Sequence, residues 1–174
     1  AIASFGEHPA LNEVAEGFKE RMSELGYVDG TDVTYSFVHA NFDRTLIPQV
    51  LQKVEAEKPA LALLLTTGLN QAAVRGITDK SIPIVFGAAD PIGTRLVTNL
   101  ARPGGNLTGV SSMIADLEAK RVDLLREALP GTMRIAYLAS RRDPAAAGFL
   151  AQARAAGARH GALVEAAMVD SPDE

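Results

Sequence analysis

Short strand-like runs alternate with helical segments along most of the chain, and this alternation limits the fold more than any other feature of the sequence. The runs occupy residues 1–5, 32–38, 60–65, 82–86 and 107–110. Between them, apolar residues recur at steps of three and four, which is the period of an amphipathic helix. Strands joined through helices by short connections form right-handed βαβ units. The sequence therefore predicts an α/β fold: a Rossmann-like, three-layer lobe whose parallel sheet lies between two layers of helices.

Four helices are predicted among these strands, at residues 9–25, 43–58, 70–79 and 92–100. Pro9 suits the first turn of the first helix, and Gly26 suits its end. Asp43 and Asp90 each precede a helical segment, and we expect their side-chain oxygens to cap it.

After Val110 the pattern starts again. Residues 116–129 and 144–160 predict helices, and residues 134–139 and 162–169 predict strands. We expect His160, at a helix end, to interact with the terminal carbonyls of that helix. A single βαβ unit with a leading helix cannot bury its own sheet. We therefore predict an N-terminal α/β lobe at 1–110, followed at 111–174 by a hinge crossing and the incomplete start of a second, similar lobe.

Composition excludes several classes of function. The net charge is −4 and no basic cluster exceeds two adjacent residues, so nucleic acid is not expected as a partner. Cysteine is absent, which excludes disulfides and thiolate metal sites. The three histidines lack metal-binding spacing, and we expect neither a metal nor a cofactor. The longest apolar run, residues 60–65, is far shorter than the ~20 residues of a membrane span. Stable membrane insertion of this segment is therefore not expected.

No set of residues predicts catalysis. Ser111 follows Gly109 as in half of a nucleophile elbow, but the second glycine of that motif is absent, and no triad partner matches by spacing. The glycines at 104 and 105 lack the lysine of a phosphate loop and precede a strand. Asp90 has no carboxylate partner for acid–base chemistry. We therefore expect a binding protein and not an enzyme.

Ligands of parallel α/β sheets bind beyond the carboxyl ends of the strands. The predicted loops at that edge are 6–9, 66–70, 87–91 and 111–113. In the first loop, His8 is either a ligand contact or a solvated residue. In the second, Thr66, Thr67, Gly68 and Asn70 stand before a helix, where they suit an anion such as a carboxylate or else cap that helix.

The loops after the fourth and fifth strands offer further polar groups. Asp90, next to Ala89, suits a ligand amino group or hydroxyl, or else caps the following helix. Ser111 and Ser112 either donate hydrogen bonds to a carboxylate or cap a helix.

Several motifs occur together in an order that is specific, although none is decisive alone. They are EHPAL at 7–11, LGYVDG at 25–30, NFDR at 41–44, IPIVF at 82–86, Asp90-Pro91, RPGGNLTGVS at 102–111 and AKRVDLLREALP at 119–130. Over essentially its whole length, the chain thus resembles the bacterial ABC-transporter substrate-binding proteins of the tryptophan/tyrosine-binding type.

The resemblance implies a type I periplasmic-binding fold, with two α/β lobes, a hinge of crossing strands and a ligand in the cleft. It implies the solute receptor of an ABC importer, which binds a small polar ligand (an amino acid or a related carboxylate) and works with the transporter permease. It also implies an exported, periplasmic protein whose leader is not present in this chain. The loop after the sixth predicted strand adds Ser140 and Arg141 to the candidates. The expected ligand-binding residues are then His8, Thr66, Thr67, Gly68, Asn70, Ala89, Asp90, Ser111, Ser112, Ser140 and Arg141.

One loop departs from the family pattern. Where the family often has an aromatic residue followed by Asn-Pro, this chain has Ser140, Arg141 and Arg142. Either arginine clamps a ligand carboxylate in bidentate fashion, or it remains in solvent.

The alternative function is the effector-sensing domain of a LacI-type transcriptional regulator, which shares the two-lobed architecture. That function calls for a helix-turn-helix segment before the first strand. The chain starts directly at the strand, which favours the transport receptor.

Overall fold

The computed structural model describes residues 1–170. The last four residues of the region predicted at 111–174 lie outside the described residues. The chain forms two compact units, which are described separately below. Unit 1 consists of Ala1–Ala88 and Leu96–Val110, and unit 2 consists of Ala89–Arg95 and the chain from Ser111 onward.

The sheet of unit 1 has five strands: β1 (Ile2–Ser4), β2 (Phe37–His39), β3 (Ala62–Leu65), β4 (Ile84–Ala88) and β5 (Leu107–Ser111). Their order across the sheet is β2-β1-β3-β4-β5. Strand β1 pairs in parallel with β2 and with β3, and β3 pairs in parallel with β4. The predicted parallel α/β sheet is therefore confirmed.

Helices cover both faces of this sheet. Helix α1 (Pro9–Glu24) packs on one face, where Ala15 meets Ile2 and Leu65. Helices α2 (Ile47–Ala56) and α3 (Thr67–Gly76) pack on the other face. Alternate residues of each central strand point to opposite faces, so every residue of β1 and β3 is buried, as expected of central parallel strands. The three-layer arrangement predicted from the sequence is thus observed.

Unit 2 contains α4 (Ile114–Ala128), β6 (Arg134–Ser140), α5 (Ala146–Arg159) and β7 (Leu163–Val169). The two strands pair in parallel along their whole length. Val122, Ala153, Ala156 and Val164 form a core between the helices and one face of the strands. Not every apolar residue of the two strands lies in this core: Leu138 of β6 is 72% exposed.

The prediction of a helix at 92–100 is wrong. After Pro91 the chain makes a single turn, in which the Thr94 amide donates to the Asp90 carbonyl. Arg95 then adopts a left-handed backbone conformation with φ 57°, which ends the turn. Leu96 and Val97 pack against Phe86 in the core of unit 1. Burial of these two side chains determines the backbone path here, and local helix propensity does not.

Two further expectations are corrected. The second strand begins at Phe37 and not at residue 32. The Val28 amide donates to the Asp32 carboxylate and the Gly30 amide to the Val33 carbonyl, so a tight turn takes up the start of the predicted strand. The His160 ring does not bond the helix carbonyls. Its Nε2 atom lies 2.7 Å from Oδ1 of Asp123 and joins the end of α5 to α4.

Among the helices of residues 1–170, none combines the length and the apolar character that a membrane crossing requires.

Candidate functional site

The strand order of unit 1 creates a crevice at one edge of its sheet. The chain leaves β1 for β2 on one side and then crosses to β3 on the other, so the order reverses between β1 and β3. The helices that follow these strands, α1 and α3, pack on opposite faces. Their connecting loops therefore diverge, and ligands of open α/β sheets bind at such a switch point. Both loops carry residues that the sequence predicted as ligand contacts.

Thr66 joins β3 to α3 in a strained conformation. Its backbone has φ 87° and ψ 145°, a region that residues with a branched Cβ rarely occupy. The Thr66 amide donates to the Gly87 carbonyl at 2.9 Å, which ties the strained residue to β4. Strain of this kind costs on the order of 1–3 kcal/mol and concentrates at ligand-binding sites.

Helix α3 begins earlier than the sequence predicted. It starts at Thr67 and not at Asn70, so Thr67, Gly68 and Asn70 lie in its first turn and not in a loop. The side chain of Thr66 makes no capping hydrogen bond to the helix, so the capping role weighed for it is not observed. The N-terminal amides of a helix carry a partial positive charge and favour anions.

Asn70 is fully buried beneath this turn. Its Nδ2 atom donates to the carbonyls of Leu64 and Thr66, both at 2.8 Å, which fastens the end of β3 to the start of α3. Its Oδ1 atom is also buried and has no hydrogen-bond partner within residues 1–170. A buried acceptor without a partner costs about 1–3 kcal/mol, which a donor from a ligand or a water would offset.

His8 stands at the start of α1, at the carboxyl edge of β1. Its Nδ1 atom accepts a hydrogen bond of 3.2 Å from the Ala10 amide, so the ring caps the helix. In the neutral ring, this acceptor role places the proton on Nε2. The side chain is exposed. The cap and a ligand contact are compatible, because they use different ring nitrogens.

An aromatic side chain that the sequence analysis did not select lies at the same edge. The ring of Phe42 covers Gly6, and a Cβ atom placed at Gly6 would lie 2.6 Å from three atoms of that ring. Phe42 appeared in the sequence only as part of the NFDR motif. Its position directly after β2, at the carboxyl edge of a strand, is the signal that would have selected it.

In unit 2, Asp90 shapes the loop after β4. Its Oδ1 atom accepts from the Gly93 amide at 2.8 Å, and the Thr94 hydroxyl donates to its carbonyl. The helix that Asp90 was expected to cap is absent. Its carboxylate nevertheless accepts from the amide three residues later, as the side chain of a helix N-cap does. A Cβ atom placed at Gly148 would lie 3.7 Å from Oδ2 of Asp90, so this carboxylate stands beside the first turn of α5.

Ser111 acts locally in unit 2. Its Oγ atom accepts from the Met113 amide at 3.1 Å and lies 3.4 Å from the carbonyl oxygen of Ala89. Met113 is the N-cap residue of α4 and no side-chain capping bond is made there, so these bonds close the turn before α4 and the capping role weighed for the serine pair is not observed. Ser112 is exposed.

In the loop after β6, the side chains of Ser140 and Arg141 are already engaged. The Oγ atom of Ser140 accepts from the Arg142 amide at 3.1 Å. The guanidinium of Arg141 forms an ion pair of 2.9 Å with Asp170. Both side chains of this pair are about half exposed, and such pairs contribute at most about 1 kcal/mol. A ligand carboxylate would therefore compete with Asp170 for Arg141.

Within residues 1–170, no group of three or more His, Asp or Glu side chains is placed to hold a metal ion.

The chain matches one family model over residues 1–174, that of the ABC transporter substrate binding proteins. It is also similar to the tyrosine-binding protein of Clostridioides difficile strain R20291. The two are 30% identical over 138 residues, which cover 79% of this chain and 39% of that protein.

Two solved structures resemble the whole described fold. One is a conserved domain protein from Vibrio cholerae, with a TM-score of 0.86 and 27% identity over 98% of this chain and 56% of the other. The second is an ABC domain from Streptococcus pneumoniae in complex with L-Trp, with a TM-score of 0.86 and 26% identity over 99% of this chain and 57% of the other. The chain thus spans between 39% and 57% of the length of these relatives.

Proposed function

This chain belongs to the ABC transporter substrate-binding proteins, a family of receptors and not of enzymes, and from that premise we propose that it binds an amino acid or a related carboxylate for an ABC importer. The edge of unit 1 between β1 and β3 is the part of the site to which we assign the ligand. The proposal extends to the partners and the location: a transporter permease, and the periplasm.

The strained turn at Thr66 is the observation that carries this proposal. It opens α3 at the switch point of the sheet, where the Thr66 side chain makes no capping hydrogen bond to the helix. A ligand carboxylate is suited by its charge to the partial positive charge at this end of the helix. Maintaining a strained threonine costs stability, so a purely structural turn would favour glycine at this position.

The buried Oδ1 atom of Asn70 supports an amino acid over a simple carboxylate. It is an acceptor without a partner among residues 1–170. Because the atom is buried beneath the turn, a water placed between it and a ligand ammonium would supply the donor that it lacks. The relatives support the same class, since one is named a tyrosine-binding protein and another was solved with L-Trp.

We propose that residues 1–110 form the first lobe of the receptor and residues 111–174 the hinge crossing and the start of the second. The first lobe then contributes Ala89 and Asp90 as further candidate contacts, and the second part contributes Ser111, Ser112, Ser140 and Arg141. Asp90 is suited to a ligand ammonium by its charge. Arg141 is suited to a carboxylate, although it is paired with Asp170.

The alternative of an effector-sensing domain gains no support from the described residues. The family match favours the transport receptor, because it extends over the whole chain.

The experiment is a ligand screen on the natural full-length protein. The twenty L-amino acids and a set of aromatic and aliphatic carboxylates are tested by thermal shift, and positive ligands are titrated by calorimetry. We expect one class of amino acids to raise the melting temperature, because a ligand that binds only the native state stabilises it. No shift and no heat with any compound of either set would refute the proposal.

A further inference from the structure

The ring of Phe42 is placed face-on over the backbone of Gly6. A Cβ atom at Gly6 would lie 2.6 Å from Cδ1, Cδ2 and Cε1 of Phe42 alike, which means that the ring face and not its edge covers the glycine. Only a residue without a side chain allows this contact. The ring also meets Phe5 edge to face, with 5.9 Å between the ring centroids and 89° between the planes.

The backbone holds Phe42 in this position at a cost in conformational energy. Phe42 has φ 61°, and Asn41 before it has φ 49°, so two successive residues without the freedom of glycine adopt the left-handed region. The Phe42 amide donates to the Phe5 carbonyl at 2.9 Å, and the Asp43 amide donates to the Ala40 carbonyl at 2.7 Å. These bonds fix the turn.

Burial does not account for this arrangement, because the Phe42 side chain remains 56% exposed. Gly6 covers one face of the ring and Phe5 packs against the ring edge to face, yet more than half of the residue is exposed, so apolar surface of the ring is left to solvent. A strained turn that presents an apolar ring to water gains little stability from it. Apolar rings held rigidly at an exposed position are typical of ligand platforms.

The position of the ring relates it to the proposed binding edge. Gly6 lies in the bend directly after β1, and His8 caps the start of α1 two residues later. Strand β1 lies between β2, which leads to Phe42, and β3, which leads to Thr66. Both flanking segments leave the sheet at its carboxyl edge, since β1, β2 and β3 are parallel.

From this geometry we infer that Phe42 is the residue that selects an aromatic ligand, by packing the exposed apolar surface of its ring against the ligand ring; the inference rests on the function proposed above. Aromatic pairs in offset or edge-to-face packing are worth about 0.5–1.5 kcal/mol beyond the area that they bury. A ligand with an aliphatic side chain gains only the burial. Phe42 thus separates tryptophan, tyrosine and phenylalanine from leucine and isoleucine.

The test compares variants of the natural full-length protein by calorimetric titration with L-tryptophan, L-tyrosine, L-phenylalanine, L-leucine and L-isoleucine. We expect Phe42→Leu to weaken binding of the aromatic ligands about three- to tenfold. Binding of the aliphatic ligands is expected to change less than about twofold, since leucine still offers apolar surface. Phe42→Tyr keeps the ring and is expected to keep the preference.

Two further variants distinguish the role of the Phe42 ring from an unspecific loss of structure. Phe37→Leu removes an aromatic ring that is 42% exposed at the amino end of β2, and we expect it to leave all five affinities unchanged. Gly6→Ala leaves Phe42 in the sequence but drives its ring away from the glycine, and we expect the same selective loss as for Phe42→Leu. Urea unfolding of each variant checks that the native state persists.

The outcomes distinguish this inference from the proposed function. If the wild-type protein binds amino acids but Phe42→Leu weakens aromatic and aliphatic ligands equally, or changes neither, the inference is overturned and the receptor function stands. Wild-type binding of aliphatic ligands alone would also overturn it. If the wild-type protein binds nothing in the wider screen, the proposed function fails first and the inference fails with it.

Discussion

The carbonyl oxygen of Thr66 accepts two hydrogen bonds from Asn70, one from the backbone amide at 3.2 Å and one from the side-chain Nδ2 atom at 2.8 Å. The same Nδ2 atom donates to the carbonyl of Leu64. One buried side chain thus fixes both the end of β3 and the strained residue that opens α3.

Replacement of Asn70 is expected to disrupt this turn. Asn70→Ala removes the Nδ2 hydrogen bonds to the carbonyls of Leu64 and Thr66, and we expect the free energy of unfolding to fall by about 2–3 kcal/mol. Asn70→Asp also loses the Nδ2 donor and places a carboxylate against carbonyl oxygens, so we expect the free energy of unfolding of this variant to fall further. Urea denaturation at pH 7 measures both. An Asn70→Asp protein as stable as the wild type would contradict the role of Nδ2.

Substitutions of Thr66 are expected to change protein stability and ligand affinity in opposite directions. Thr66→Gly removes the strained Cβ, and after the entropic cost of glycine we expect a net gain of roughly 1 kcal/mol in the free energy of unfolding. Ligand affinity is expected to fall, because the turn loses its fixed geometry. Thr66→Ala is the matched control, since it keeps the Cβ and the strain. Equal stability of the glycine and alanine variants would show that the turn is not strained.

Gly157 is expected to be irreplaceable in α5. A Cβ atom at this position would lie 2.6 Å from Cγ2 of Val164 and 2.8 Å from the carbonyl oxygen of Ala162, which is backbone and cannot move aside cheaply. We expect Gly157→Ala to lower the free energy of unfolding by about 1–3 kcal/mol through overpacking.

Gly148 of the same helix provides the control for this variant. A Cβ atom there meets nothing nearer than 3.7 Å. We therefore expect Gly148→Ala to stabilise the protein by up to about 1 kcal/mol, since alanine is the better helix former. Thermal unfolding of the two variants side by side tests the pair, and equal effects would refute the close packing of α5 on β7.

Glu55 predicts a pH dependence of stability. Its Oε1 atom accepts from the Thr78 hydroxyl and amide, both at 2.7 Å, and from the Asp79 amide at 2.6 Å. The side-chain hydrogen bond from Thr78, followed by the backbone bond from Asp79, holds the pKa of Glu55 below its ordinary value of 4.5. A depressed pKa means that the ionised form stabilises the folded state.

The stabilisation from Glu55 is therefore fully present above the ordinary pKa and is lost as the pH falls through the lowered pKa of the folded state. We expect Glu55→Gln to be less stable than the wild type at pH 7, with a difference that shrinks as the pH falls below 4.5. Urea titrations between pH 7 and pH 2.5 measure this difference. The control is Glu20→Gln on the exposed face of α1, and a difference for Glu55→Gln that does not vary with pH would contradict the argument.

Local patterns determined most of the architecture. The spacing of apolar residues predicted α1, α2, α4 and α5, and the strand-like runs predicted the seven strands, although β2 begins five residues later than expected, because periodicity reports which face of an element is buried. The motifs indicated the family, and the match over the whole chain confirms it. The proposed ligand residues were also selected from the sequence by their place at strand ends, since parallel sheets gather their carboxyl ends at one edge.

Tertiary structure decided what depends on residues far apart in the chain. The strand order that sets the switch point, the packing of Leu96 and Val97 in place of a helix, and the bond from His160 to Asp123 each involve partners that no local pattern specifies. The same holds for the ring of Phe42 over Gly6 and the strain at Thr66. Periodicity is a property of neighbours in sequence, whereas a strained backbone persists only where distant hydrogen bonds and packing hold it in place.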